Sequence, residues 1–148
     1  MKIRIELDSS CDEAEVVIRT ARLDGQITQI QEALEQLNRK PLIFYKGSSE
    51  YFLKIEDILF FETDGSKIFG HTKDNAYEVK LKLYELEEHL PAIFSRVAKS
   101  TIVNIKAIYS LDKSFSGTSS ICFVDTHKQV HVSRHYYQLL KEKLQELR

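Results

Sequence analysis

The chain has 148 residues, of which 43% are hydrophobic and 29% charged, and its net charge is −1. These values are ordinary for one soluble globular domain with a short appendage. The sequence has no apolar run long enough to cross a membrane and no apolar signal core at its N-terminus, so a cytoplasmic location is expected. Cys11 and Cys122 are the only cysteines and lie in unrelated contexts, which favours two reduced thiols over a disulfide or a metal site.

The charges are distributed unevenly along the chain. Residues 1–40 carry 6 Lys/Arg and 8 Asp/Glu, residues 41–92 carry 6 and 10, and residues 93–148 carry 9 and 4. The C-terminal third is therefore basic on a nearly neutral chain. Because one positive face is enough to bind phosphates, the overall charge does not exclude a nucleic-acid partner.

The first forty residues predict a small β-β-α unit. In residues 2–7 ("KIRIEL") aliphatic and charged residues alternate, which is typical of a half-buried strand, and residues 15–20 ("EVVIRT") are a second strand candidate. From Gly25 the apolar period becomes helical, which predicts an amphipathic helix over residues 26–38 that Pro41 closes off. Residues 1–40 are thus expected to form an N-terminal extension, and residues 42–148 a second domain.

Residues 42–148 are dominated by short β-branched and aromatic runs separated by turn residues, which predicts antiparallel hairpins. Two helices are predicted between and after them, over residues 82–90 and 135–147, with Ser133 as the N-cap of the second. The predicted strands are residues 42–46, 58–63, 67–72, 76–80, 101–105, 107–111, 121–124 and 129–132. The predicted fold class is therefore mainly β.

Enzyme signatures are absent from the sequence. No phosphate-binding loop, dinucleotide fingerprint, zinc-protease motif or nucleophile elbow occurs. His131 and His135 have the spacing of a helical metal pair, but a strand-to-helix junction is predicted between them. We therefore expect no enzyme activity, no cofactor and no metal.

Three predicted connecting segments combine serine with a cation: "TDGSK" (63–67), "RVAKS" (96–100) and "VSRHYY" (132–137). Lysine and arginine neutralise phosphates, hydroxyls position them, and arginine can read guanine through its two-donor fork. The alternative is that these are ordinary hairpin tips, where polar residues belong. The residues alone leave both interpretations open.

Three stretches resemble the LytTR family of bacterial DNA-binding domains. They are "YFLKIEDILFFETDGSKIFGHTKDNAYEVKLKLYELEEHLP", "IFSRVAKSTIVNIKAIYSL" and "VHVSRHYYQLLKEKL". Their order and spacing make the resemblance specific, and it covers about residues 42–147. It implies an antiparallel β-sandwich of small sheets with short helices, in which loops enter successive major grooves of double-stranded promoter DNA.

The resemblance also implies the site residues. Carried over by position, the DNA-binding residues are Ser66, Lys67, Lys99, Ser100 and Arg134. Arg96 and His135, from the same serine- and cation-containing segments, complete the predicted set. Arg134 is the expected base contact, whereas Arg96 is either a phosphate contact or a surface ion-pair partner. Ala98 stands where many members have histidine, so base preference is expected to differ. Asn104 matches the family asparagine, and a structural role at the strand end is favoured for it.

The whole chain resembles a subgroup of the family in which a short N-terminal α/β unit replaces the phospho-receiver domain. This implies a homodimer on paired direct repeats and restraint by an inhibitory membrane protein encoded nearby. The predicted function is a sequence-specific DNA-binding transcriptional regulator. The alternative is a protein-interaction module without DNA contact, with the helix at residues 26–38 as its docking surface.

Overall fold

The computed structural model describes residues 1–114 and 117–147. The chain divides into two compact units, Met1–Leu37 and Asn38–Arg148. Within the described residues, no helix is both long enough and apolar enough to cross a membrane.

Three α-helices, ten strands and two 3₁₀-helices, Ile55–Asp57 and Ile105–Ala107, make up the regular structure of the described part. The helices are α1 (Gly25–Leu37), α2 (Leu83–His89) and α3 (Arg134–Leu147). The strands are β1 (Phe44–Lys46), β2 (Ser49–Tyr51), β3 (Phe60–Asp64), β4 (Lys67–His71), β5 (Ala76–Val79), β6 (Phe94–Ala98), β7 (Thr101–Asn104), β8 (Ile108–Lys113), β9 (Ser119–Phe123) and β10 (Gln129–Val132).

The strands form two antiparallel sheets. The larger has the order β2-β1-β5-β4-β3-β7-β6, and the smaller has the order β10-β9-β8. In the larger sheet β3 pairs with β4 on one side and with β7 on the other. The tips of the β3–β4 and β6–β7 hairpins therefore lie at the same end of this sheet.

Two hydrophobic cores cover the two faces of the larger sheet. Phe61 and Ile102 belong to the core that includes Leu86 of α2. Their chain neighbours Phe60 and Val103 belong to the core that includes the smaller sheet and α3. Because successive strand residues point to opposite faces, a central strand buried on both sides needs a continuous apolar run rather than an alternating one. This explains the run "ILFF" at residues 58–61.

The predicted mainly β class is confirmed, as are α2 and α3 within one or two residues. Two short strands were missed: β2, and β6 with its buried Ser95 and half-buried Arg96, which the sequence pattern had indicated to be a connecting segment. Ser133 precedes α3 as predicted, but its buried Oγ makes no hydrogen bond among the described residues, so it is not a side-chain cap. The turn residues expected between the predicted strands at 107–111 and 121–124 lie partly outside the described residues, and the last two of them, Ser119 and Ser120, belong to β9.

The N-terminal β-β-α prediction is wrong in its strands. α1 is found, with Asp24 Oδ1 accepting a hydrogen bond from the Ile27 amide at 3.0 Å. Residues 2–7 and 15–20 form no strand, and their aliphatic side chains are exposed. An apolar pattern supplies a face to bury, but a strand also needs a hydrogen-bonded neighbour, and neither segment has one among residues 1–114 and 117–147.

Asn104 joins the end of β7 to the segment that precedes β3. Its Nδ2 donates to the carbonyl oxygens of Ile58 at 3.0 Å and Glu56 at 3.3 Å. Its Oδ1 accepts from the Lys106 amide at 3.1 Å, and the residue is only 2% exposed. The structural role expected for Asn104 is therefore the one that the structure gives.

Replacing Asn104 with Ala should lower the free energy of unfolding by about 2–3 kcal/mol, because buried backbone groups lose their partners. Urea unfolding followed by circular dichroism measures this change. Asn38→Ala is the matched control, because Asn38 is exposed and a surface change of this kind stays within about 0.5 kcal/mol. Equal stability of the two variants would contradict the role assigned to Asn104.

Candidate nucleic-acid interface

The β3–β4 tip is a two-residue hairpin turn made by Gly65 and Ser66. Gly65 has φ +63°, which glycine adopts without steric cost at the first central position of a tight turn. Ser66 and Lys67 are exposed at this tip. Lys67 Nζ lies 3.7 Å from Glu78 Oε2, a long and solvent-exposed ion pair that contributes little stability. The tip therefore presents a hydroxyl and an ammonium group to solvent.

The β6–β7 tip presents Lys99 and Ser100, both exposed, in the turn between the two strands. The pairing register shifts between Arg96 and Ala98, so the hairpin has an irregularity directly before its tip. Irregularities of this kind redirect the chain and the side chains that follow.

Arg96 stabilises the β6–β7 tip through hydrogen bonds from its side chain to the backbone of the tip. Its Nε donates to the Ala98 carbonyl at 3.1 Å, and its Nη2 donates to the Lys99 carbonyl. Its Nη1 donates to Glu87 Oε1 of α2 at 2.9 Å. Of the two roles left open by the sequence, the structure gives the ion pair and adds two backbone contacts. Arg96 thus acts on the tip that carries Lys99 and Ser100.

The third segment is the start of α3, where Arg134 and His135 are exposed. The guanidinium of Arg134 lies against Gly117, where a Cβ atom would collide with it. Gly117 has φ +87°, so a side chain at this position would also be strained. The His135 ring makes an edge contact with Tyr136, with the ring centroids 4.8 Å apart. Gly117 therefore provides the space in which the Arg134 side chain lies.

Two backbone hydrogen bonds join the three segments. The Thr63 amide, near the β3–β4 tip, donates to the Ser100 carbonyl at 3.0 Å. The Ser133 amide, directly before α3, donates to the Val97 carbonyl of β6 at 2.9 Å. Segments that are far apart in sequence therefore meet at the β6–β7 hairpin. We call residues 63–67, 98–101 and 133–135 the cationic loop surface.

Sequence reasoning missed a second basic feature beside α3. The Tyr137 ring has Lys113 Nζ 5.7 Å and Lys141 Nζ 5.8 Å from its centroid, both within the range of cation–π attraction. The i, i+4 spacing of Tyr137 and Lys141 on a helix was visible in the sequence. The approach of Lys113 was not, because it depends on how β8 packs against α3.

At the opposite end of the larger sheet, the side chains of Lys128 and His71 contact groups of the protein itself. Lys128 Nζ donates to the carbonyls of Thr72 and Asn75, both at 2.8 Å, and lies 3.3 Å from His71 Nδ1. His71 Nε2 lies 2.8 Å from Glu62 Oε1. Burial lowers the pKa of His71, although the nearby charge of Glu62 acts to raise it. Burial also lowers the pKa of Lys128. These groups stabilise a turn rather than form an open basic surface.

Cations gathered at one end of a sheet form a basic patch of the kind that nucleic-acid-binding domains present. Residues 48–145 match the family model of the LytTr DNA-binding domain. The chain belongs to this family. The family comprises DNA-binding domains of transcription regulators and is not a class of enzyme, so the predicted family and the predicted function as a DNA-binding transcriptional regulator are confirmed.

Similar proteins were found by sequence and by structure. Two relatives from Staphylococcus aureus, strains bovine RF122 / ET3-1 and NCTC 8325 / PS 47, are each named an uncharacterized HTH-type transcriptional regulator. They are 28% and 27% identical to this chain over 145 residues, which is 97% of this chain and 98% of each relative. A LytTr DNA-binding domain from Bacillus cereus has the same fold, with a TM-score of 0.64 at 21% identity over 71% of this chain and 97% of that one.

The role of Arg96 can be tested by removing each half of its ion pair. Arg96→Ala should lower the free energy of unfolding by about 1–3 kcal/mol, because two carbonyls and a carboxylate lose their donor. Glu87→Gln should lower it by less than about 1 kcal/mol, because the Glu87 side chain is 42% exposed. Chemical denaturation of both variants measures the difference. A larger loss for Glu87→Gln than for Arg96→Ala would show that the carbonyl contacts contribute nothing.

Proposed function

We propose that the protein regulates transcription by inserting its cationic loop surface into the major grooves of repeated promoter sites. The observation that carries this proposal is the pair of backbone hydrogen bonds, Thr63 to Ser100 and Ser133 to Val97, that holds the three segments together. A rigid arrangement of cations and hydroxyls has a smaller entropic cost on binding than three independent loops would have.

The proposed roles follow from the chemistry of each side chain. Lys67 and Lys99 are exposed ammonium groups on hairpin tips and neutralise phosphates, while Ser66 and Ser100 position them. Arg134, at the start of α3, reads a base edge, and the neighbouring His135 contacts the DNA backbone next to that base. Arg96 belongs to the interface as the residue that shapes the β6–β7 tip.

Loops rather than a recognition helix carry the proposed contacts. A helix-turn-helix unit needs two consecutive helices joined by a short turn. Within residues 1–114 and 117–147 every pair of successive α-helices is separated by strands. The element order of the described chain therefore supports contact through hairpin tips and the first turn of α3.

The proposal also covers partners and location. Binding to repeated sites calls for two protomers along the DNA, so we infer a homodimer. The separate compact unit Met1–Leu37 offers a region for protein contacts away from the cationic loop surface in sequence. An inhibitory membrane protein encoded nearby, as the family resemblance implies, is the proposed source of regulation. A promoter-binding bacterial protein acts in the cytoplasm.

Lys99→Ala should weaken binding to all DNA sequences about equally. It should also make the dependence of log affinity on log salt concentration shallower by about one unit, because one phosphate contact is lost. Fluorescence anisotropy with a labelled promoter duplex at several salt concentrations measures both effects.

The matched control for Lys99→Ala is Lys73→Ala. Lys73 is also a lysine in a hairpin turn, but it lies at the opposite end of the larger sheet, with its Nζ 3.3 Å from Asp125 Oδ2. This variant removes the same charge and should leave the salt dependence unchanged. Equal losses for the two variants would mean that only net charge matters, and the proposed surface would be wrong.

Arg134→Ala should cost about 1–3 kcal/mol of specific binding and relax sequence preference at one base pair. Arg134→Lys keeps the charge but loses the planar two-donor fork, so it should lose the preference while keeping the salt dependence. Binding selection from a randomised site, done for both variants, measures the preference. An unchanged preference in Arg134→Ala would remove Arg134 as the base contact.

A further inference from the structure

The N-terminal segment of residues 2–8 exposes three large aliphatic side chains to solvent. Ile3, Ile5 and Leu7 are 85%, 83% and 97% exposed, and the segment is in no strand. Single exposed aliphatic residues are ordinary, but three on alternate positions of one segment form an apolar stripe. A stripe of this spacing fits the face of a β-strand that lacks its partner.

The polar residues of the same segment lie on the other side. Arg4 Nη2 forms an ion pair with Glu6 Oε1 at 2.7 Å, which requires the two side chains to point the same way. Residues i and i+2 share a face in an extended chain. The charges also have an order, because Lys2 and Arg4 precede Ile5 whereas Glu6 and Asp8 follow it.

We propose that residues 2–8 pair antiparallel with the same residues of a second copy of this chain, around a twofold axis at Ile5. This inference rests on the homodimer of the proposed function and assigns its interface. In this register Ile3 lies opposite Leu7 of the second copy, and Ile5 lies opposite Ile5. On the other face Arg4 lies opposite Glu6, and Lys2 opposite Asp8. Every aliphatic residue meets an aliphatic one and every cation meets an anion.

Other registers of the same pairing conflict with the charges. Centring the pair on Arg4 sets Arg4 opposite Arg4, and centring it on Glu6 sets Glu6 opposite Glu6. A shift by one residue sets aliphatic residues of one copy opposite charged residues of the other. The aliphatic residues of the two copies then lie on opposite faces of the ribbon. Among these registers, only the one centred on Ile5 has neither a like-charge pair nor an aliphatic residue opposite a charged one. The sequence is thus complementary to itself in one register.

The second exposed aliphatic segment belongs to the same interface. Val16, Val17 and Ile18 are 66%, 63% and 37% exposed in the same compact unit. A two-stranded ribbon alone is marginal in water, so a stable pair needs further apolar area. A dimer contains two such segments. They add apolar area either by extending the paired strands or by packing against them.

A charge swap tests the proposed register. Arg4→Glu places two carboxylates opposite each other at both symmetry-related positions, and should raise the dissociation constant of the dimer about tenfold. The double variant Arg4→Glu/Glu6→Arg restores opposite charges in this register and should return the constant to that of the wild-type chain. Sedimentation equilibrium of the full-length protein without DNA measures these constants.

Arg22→Glu is the matched control. It makes the same charge change at another exposed position of the same unit, outside both aliphatic segments, and should leave the dissociation constant unchanged. A wild-type chain that stays monomeric at its highest soluble concentration would overturn the proposal. So would a double variant as weak as Arg4→Glu, or equal loss in Arg22→Glu and Arg4→Glu.

Cysteine cross-linking tests the position of the axis. In a chain with Cys11→Ser and Cys122→Ser, Ile5→Cys should form a disulfide-linked dimer under mild oxidation, because the two cysteines are cross-strand partners. Ile3→Cys should not, because the two cysteines would lie about 13 Å apart along the strands. Equal cross-linking of both, or none with Ile5→Cys, contradicts the axis at Ile5.

These measurements are separate from the test of DNA binding. Association is measured without DNA, and Lys99 and Arg134 are unchanged in every variant used. If the duplex binds as proposed but the charge swap fails, only this interface is wrong. If association behaves as expected but Lys99→Ala and Lys73→Ala are indistinguishable on DNA, the interface stands and the proposed DNA surface is wrong.

Discussion

The β6–β7 hairpin is the element on which the cationic loop surface depends. β7 pairs with β3 through the register Phe60 to Val103, which sets the hairpin beside the β3–β4 tip. On its other side β6 accepts the Ser133 amide at Val97, which sets the start of α3. Backbone hydrogen bonds fix these positions regardless of the side chains at the tips. The exposed side chains of Lys67, Lys99 and Ser100 take no part in these backbone bonds and remain directed to solvent.

The buried centre of the sheet makes such exposed tips possible. Phe61 and Ile102 pack on one face and Phe60 and Val103 on the other, so β3 and β7 are fixed by two cores at once. If a strand slips by one residue, every side chain moves to the other face of the sheet. Both faces are apolar here, so packing alone does not exclude such a slip. Asn104 resolves this ambiguity, because its Nδ2 donates to the carbonyls of Ile58 and Glu56 next to β3, and a one-residue slip would move it away from them.

The parts of the fold that the sequence predicted are those governed by local patterns. Aromatic and β-branched runs identified most strands, and the helical period of leucines identified α2 and α3. β6 was missed because Ser95 and Arg96 look like surface residues, and only the tertiary structure provides Arg96 with Glu87 and two carbonyls. The strand at residues 2–7 was predicted from alternation and the one at residues 15–20 from its β-branched run, and neither pattern says anything about a partner.

For the site, the chain pattern identified cations and hydroxyls, and the fold explains what separates them from other exposed cations. Lys73 and Lys128 have the same charge as Lys99, but they lie at the end of the sheet where Asp125 and backbone carbonyls engage them. Sequence cannot make this distinction, because it depends on which end of an antiparallel sheet each turn occupies.

The proposed pairing of two copies affects how tightly the protein binds a repeated DNA site. In the proposed function each DNA-binding unit binds one repeat, and the proposed strand pairing between two copies converts binding of the second repeat into an intramolecular step. A weak strand pairing then suffices, because a high effective concentration on the DNA adds to the modest affinity of each unit.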